Sequence, residues 1–220
     1  MRVFFIFISL ILFVNINFAQ NSIERYYNKN LDTLQLIKYY TSVGNKADFI
    51  MEFELQSIIA LVNYPELKDV VIIFKYDKIE TTMSCKPNTT SLFGERVYEI
   101  TINNDTISSA PLLKDVPFNA QIGIIAHEYA HIVDYEEKNI FGLVSTGIEY
   151  LNENSRDDFE KGIDKITINH GYGWQLFEWA EFVQNSNIIA EDYKKYKRTY
   201  YLSGADIKAI MNTLDIYNER

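Results

Sequence analysis

The chain has 220 residues, a net charge of −9, one cysteine, 16 Tyr and 14 Phe. That length suits a single domain with a substantial core, and the acidic balance argues against nucleic acid and anionic membrane surfaces as partners. Cys85 has no second cysteine to pair with, so stability must come from packing rather than from an internal disulfide.

Residues 1–19 read as a secretory signal peptide. Arg2 supplies a short positive start, Val3 to Val14 is apolar apart from Ser9, and Ala19 is a small residue at the cleavage point. The apolar run is short against the roughly 20 residues of a membrane span, so no stable insertion is expected after cleavage. No cysteine follows the cleavage point to carry a lipid. The expected location is secreted or periplasmic. Residues 20–220 are expected to form one domain, αβ in character to about 135 and helical from 136 onward.

The elements follow in order. A short helix is expected near Leu31–Tyr40. Lys46 to Asn63 reads as a helix, with Phe49, Ile50, Phe53, Ile58 and Leu61 near helical spacing and Pro65 after its end. Val70–Tyr76 is β-branched and aromatic and reads as a strand, with Ile79–Met83 as another. Val97–Ile102 alternates apolar and polar residues, which predicts a strand with one wet face. Asn119 is the expected N-cap of a helix over 119–137 that is apolar on most sides. Ser155 with Asp158 opens a helix over 156–169, with Phe159, Ile163 and Ile166 facing the core and Gly171 as its stop. Gly162 is expected to let that helix approach another closely. Trp174, Phe177, Trp179 and Phe182 read as core packing. Ser203 and Asp206 open a final amphipathic helix, and Lys194-Lys195-Tyr196-Lys197-Arg198 reads as a solvated face. The fold class is α+β, with a small mixed sheet, one active-site helix and a mostly helical C-terminal part.

The helix over 119–137 carries His127-Glu128-Tyr129-Ala130-His131, an H-E-x-x-H pattern. With 3 His in the chain, composition alone gives about 0.003 chance occurrences. Histidines four apart share one helix face. Both imidazoles can therefore reach one Zn²⁺ at about 2.0–2.1 Å, with Glu128 beside them as general base for a water. A surface helix with two solvated histidines is the plain alternative, but the flanking Ile122–Ala126 and Ile132-Val133 are too apolar for one. A third protein ligand is needed. Asp134 and Glu137 stand where a metzincin would have glycine and histidine, so that extension is absent. The candidates are Glu160, Asp164, His170, Glu136 and Glu137. Glu160 and Asp164 lie four apart on the next helix, on a face beside the apolar one.

Here the chain resembles the gluzincin metallopeptidases, which combine H-E-x-x-H with a glutamate on a later helix. In their CAAX-type branch that glutamate stands in an E-x-x-x-D pattern, which Glu160 and Asp164 match, although this chain lacks that branch's membrane helices. The resemblance covers about residues 95–172. It implies a zincin-like fold, Glu160 as third Zn²⁺ ligand, Asp164 orienting a ligand histidine, and His170 or Tyr172 stabilising an oxyanion. It also implies that the strand before the metal helix lies at a sheet edge and binds extended peptide. The expected activity is zinc-dependent hydrolysis of a peptide or protein substrate. A binding protein that keeps zinc as a structural clip and an amidase acting on cell-wall peptide are the alternatives.

Overall fold

The computed structural model describes residues 23–31, 35, 49–88, 96–139, 142–143, 145–147 and 152–218. The signal-peptide reading and most of the Leu31–Tyr40 helix lie outside these residues. No described helix is long and apolar enough to cross a membrane.

The first described helix is shorter than the apolar spacing suggests. A 3-10 turn over Met51–Phe53 leads into α1 (Glu54–Leu61). Ile58, Ile59, Ala60 and Leu61 are all buried there. Pro65 then opens a second 3-10 turn, Pro65–Leu67, as its fixed φ allows.

Three strands follow: β1 (Val71–Asp77), β2 (Met83–Pro87) and β3 (Val97–Asn103). Their spatial order is β1-β3-β2, with β1 and β3 parallel and β2 and β3 antiparallel. The sheet is small and mixed within an α+β fold. Two expectations are corrected. The second strand starts at Met83 and runs to Pro87, beyond the predicted Ile79–Met83. Pro87 cannot donate to a ladder, which an edge strand tolerates. The strand before the motif helix is central in the sheet, and β2 takes the edge. Its wet face is also partial: Val97 and Glu99 are half-exposed, while Thr101 and Asn103 are buried with the apolar side.

The motif helix is α2 (Phe118–Glu136), and every residue from Ala120 to Val133 is buried. It packs against α1, β2 and two later helices, α3 (Glu153–Thr167) and α4 (Gly173–Asn185). Burying side chains such as Ile122, Ile125 and Ile132 gives about 1.5–3 kcal/mol each and fixes this helix at the centre of the molecule. Asn119 does not cap it. Its side chain instead accepts from Tyr27 N–H at 2.7 Å and donates to Tyr27 C=O at 3.1 Å, tying the N-terminal segment to the helix start.

The close-approach glycine is Gly123, not Gly162. A Cβ on Gly123 would overlap the Gln175 carbonyl of α4, whereas one on Gly162 would meet nothing within 4 Å. The helix holding Glu160 begins at Glu153, two residues before Ser155, and gives way to a π-helical turn over Ile168–Tyr172. Gly171 breaks the helical path there with φ +87°, a conformation that costs glycine little. Two helices complete the chain, α5 (Glu191–Tyr200) and α6 (Gly204–Met211). Ser203 and Asp206 form the expected capping box on α6. The Tyr217 hydroxyl donates to Ile168 C=O and accepts from Gly173 N–H, which locks the C-terminal segment onto the kink.

Candidate metal centre

Because α2 is buried all round, its polar side chains can only face a partner or a cavity. His127 and His131 lie one turn apart and point toward α3. Glu160, 1% exposed, comes from α3 to meet them. Its Oε2 lies 3.2 Å from His127 Nε2 and 3.6 Å from His131 Nε2. One donor atom from each of the three lies within 4.8 Å of the others. In a tetrahedral site with bonds of about 2.0–2.1 Å, donors stand about 3.3 Å apart, so the two measured separations bracket the value required. The three residues are positioned to hold one metal ion.

Asp164 sits one turn along α3 from Glu160. Its Oδ1 accepts from His127 Nδ1 at 2.9 Å, and its Oδ2 accepts from Leu202 N–H at 2.9 Å. It therefore fixes the ring orientation of His127 and ties it to the chain after α5. A hydrogen bond on Nδ1 leaves Nε2 as the free donor of His127, the arrangement usual for ligand histidines.

Glu128 is buried beside this set, and among the described residues its Oε2 has no hydrogen-bond partner. His131 Nδ1 is likewise buried and unpartnered. A desolvated carboxylate left without a donor costs several kcal/mol unless a water or ligand group serves it. Burial pushes the Glu128 carboxyl up from its usual range, offset in part by the two histidines.

The group opens into a cavity of about 440 Å³. One wall is the β2 edge, Thr81 to Pro87. Trp179 of α4 and Tyr193 and Lys197 of α5 also line it, with the Tyr193 hydroxyl 3.2 Å from Thr82 Oγ1. Lys197 was hidden in a basic run that reads as solvated surface. The available signal was its spacing four residues after Tyr193, which is buried on the same helix face.

The remaining candidates lie elsewhere. His170 hydrogen-bonds Ile166 C=O and the Glu66 carboxylate, and its ring stacks on Tyr64 at 4.2 Å. Tyr172 is fully buried and donates to Ile59 C=O. Neither borders the cavity, so the oxyanion role expected for one of them has no support in the geometry. Beside the kink at Gly171, Tyr172 meets α1 and His170 meets the segment just after it. Glu136 accepts from Tyr98 Oη and, like Glu137, is exposed at the end of α2.

Without a metal, protons must hold the group together. Burial disfavours the charged form of His127, but Asp164 and Glu160 outweigh it and push its pKa up to about 10. Burial would likewise raise Glu160, yet its bonds with His127 and His131 hold its carboxyl well below the usual range. A histidine raised in this way contributes stability that is fully present below its unfolded value of 6.5 and lost as pH climbs through 10. The metal-free protein is therefore expected to lose up to about 1.4 kcal/mol per pH unit between pH 6.5 and 8. The melting temperature of chelated protein checks this. A flat profile across that window would refute the protonated arrangement. The metal-loaded form should be flat there, since the ion takes the place of the proton.

No protein-family model, no curated protein and no solved structure matches this chain.

Proposed function

We propose that this chain is a gluzincin-type zinc metallopeptidase, acting outside the cytoplasm on peptide or protein substrates. The observation that carries the reading is the pairing of a three-donor group, His127, His131 and Glu160, with a buried Glu128 carboxylate whose Oε2 has no hydrogen-bond partner among the described residues. A purely structural clip has no use for that carboxylate. The His₂Glu donor set is the one found in zinc hydrolases, and its N and O donors at tetrahedral spacing suit Zn²⁺.

Zinc held there would polarise the scissile carbonyl and lower the pKa of water from 15.7 toward about 7. The chain's own residues do the rest. Glu128 takes a proton from the attacking water and delivers it to the leaving amine. Asp164 keeps His127 in one tautomer and one orientation. Among the described residues β2 pairs on one side only, with β3, and it borders the cavity of the donor group, so its other edge is where we place an extended peptide. This assigns to β2 the substrate-edge role that the resemblance gave to the preceding strand.

The reading is tested by incubating purified protein with a mixed peptide panel, including cell-wall peptides, and following cleavage by mass spectrometry. Cleavage should stop on chelation and return with about one equivalent of Zn²⁺. A zinc-loaded protein that cleaves nothing in the panel would overturn the proposal. Cleavage confined to the cell-wall peptides would narrow it to an amidase of that class.

A further inference from the structure

Lys197 stands apart from the other charged groups of the cavity. It borders the same cavity as Asp164, Glu160 and Glu128. Among the described residues, its Nζ has neither an ion pair nor a side-chain hydrogen bond. It lies instead over the ring of Tyr201, 3.0 Å from the centroid, and 5.6 Å from that of Trp179. The ring faces attract the cation and hold it in place, but they leave its three N–H donors without an acceptor. The other lysine bordering the cavity, Lys86, is exposed on β2, where solvent screens its charge.

The position has a chemical consequence. The Tyr201 ring that carries the ammonium also packs on His127, with centroids 5.6 Å apart. The ammonium is thus one aromatic ring removed from the ligand group. The ammonium and the donor group border the same cavity of about 440 Å³. A substrate group meeting Lys197 while the scissile bond lies at the donors is therefore one or two residues along the chain, at roughly 3.3–3.6 Å per residue. Charge points the same way. The chain is strongly acidic and three carboxylates border the cavity, so an anionic substrate group lying away from the metal needs a cation of its own.

We propose that Lys197 receives a carboxylate of the substrate, so that the enzyme selects peptides bearing a negative charge within one or two residues of the scissile bond. This rests on the peptidase reading and adds the substrate class. The carboxylate can be the peptide C-terminus or an acidic side chain.

The test reads binding rather than turnover. Three blocked pentapeptide pools are equilibrated with the zinc-loaded Glu128→Gln protein, and retained peptides are identified by mass spectrometry. The first pool has a free C-terminal carboxylate and no acidic side chain. The second is amidated with one Asp or Glu, and the third is amidated and neutral. The first or second should be retained about tenfold or more above the third, and which one identifies the carboxylate. Adding Lys197→Met should abolish the preference and adding Lys197→Arg should keep it, with zinc content unchanged in both. Equal retention of all pools, no retention of any, or a preference that survives Lys197→Met overturns the proposal. A wild type that binds acidic peptides through Lys197 but cleaves none overturns the peptidase reading alone.

Discussion

Replacing Glu128 by glutamine is expected to lower peptide hydrolysis by about 10²–10⁴-fold while zinc content stays at the wild-type level. The change swaps one oxygen for an NH₂ group and keeps the side-chain volume, so packing around α2 is undisturbed. Glu128 is not one of the three converging donors, so metal affinity should not depend on it. What is lost is the ability to accept a proton from water and pass it on. Stability should hold or rise, because the variant removes a buried charge whose desolvation outweighs its attraction to the neighbouring histidines. Zinc content, melting temperature and kcat/KM measured on one preparation separate these effects. Full activity in a zinc-loaded Gln variant would sink the role of Glu128. Glu128→Asp, which withdraws the carboxylate by one methylene, should fall between the two, since a base must reach its proton at hydrogen-bond distance.

The metal helix was legible because its signals are local. H-E-x-x-H spacing places two imidazoles on one face, and the flanking isoleucines imply burial, so the helix is found within one residue of its expected ends. Glu160 and Asp164 were legible for the same reason: four residues apart on a helix means one face. What failed depends on tertiary pairing. Nothing in Val97–Ile102 says whether its neighbours lie on one side or both, and the structure puts it in the middle of the sheet. The cavity wall at Met83–Pro87 has Ser, Lys and Pro in a five-residue strand, so it carries little strand signal of its own. His170 and Tyr172 sit close to Glu160 in sequence, but a positive φ at Gly171 turns them away. Gly162 and Gly123 look alike in sequence, and only the approach of α4 tells them apart. Lys197 shows the limit of composition: three basic neighbours suggest solvent, while one side chain of the run points inward.

Glu160→Ala is expected to reduce zinc affinity by at least about 10²-fold, more than the loss of an outer hydrogen-bond partner usually costs. Glu160 Oε2 lies 3.2 Å and 3.6 Å from the two histidine Nε2 atoms, so its removal leaves two donors and a void where the third stood. The same atom holds the metal-free site together, and breaking a buried charged pair costs about 3–5 kcal/mol. The chelated variant should therefore melt well below chelated wild type, which risks confusing lost binding with lost fold. Glu160→Gln separates the two. It keeps the volume and a neutral oxygen donor, so it should fold closer to wild type while still binding zinc weakly. Asp164→Asn should cost less, about 10–100-fold in affinity, because it disturbs only the orientation of His127. The order of zinc affinity is thus wild type, then Asp164→Asn, then Glu160→Gln, then Glu160→Ala, measured by competition with a chromogenic chelator. Undiminished affinity in both Glu160 variants would remove this residue from the metal centre. The third donor would then have to come from Asp164, the nearest remaining carboxylate on α3, and the His₂Glu basis for a hydrolase would fall with it.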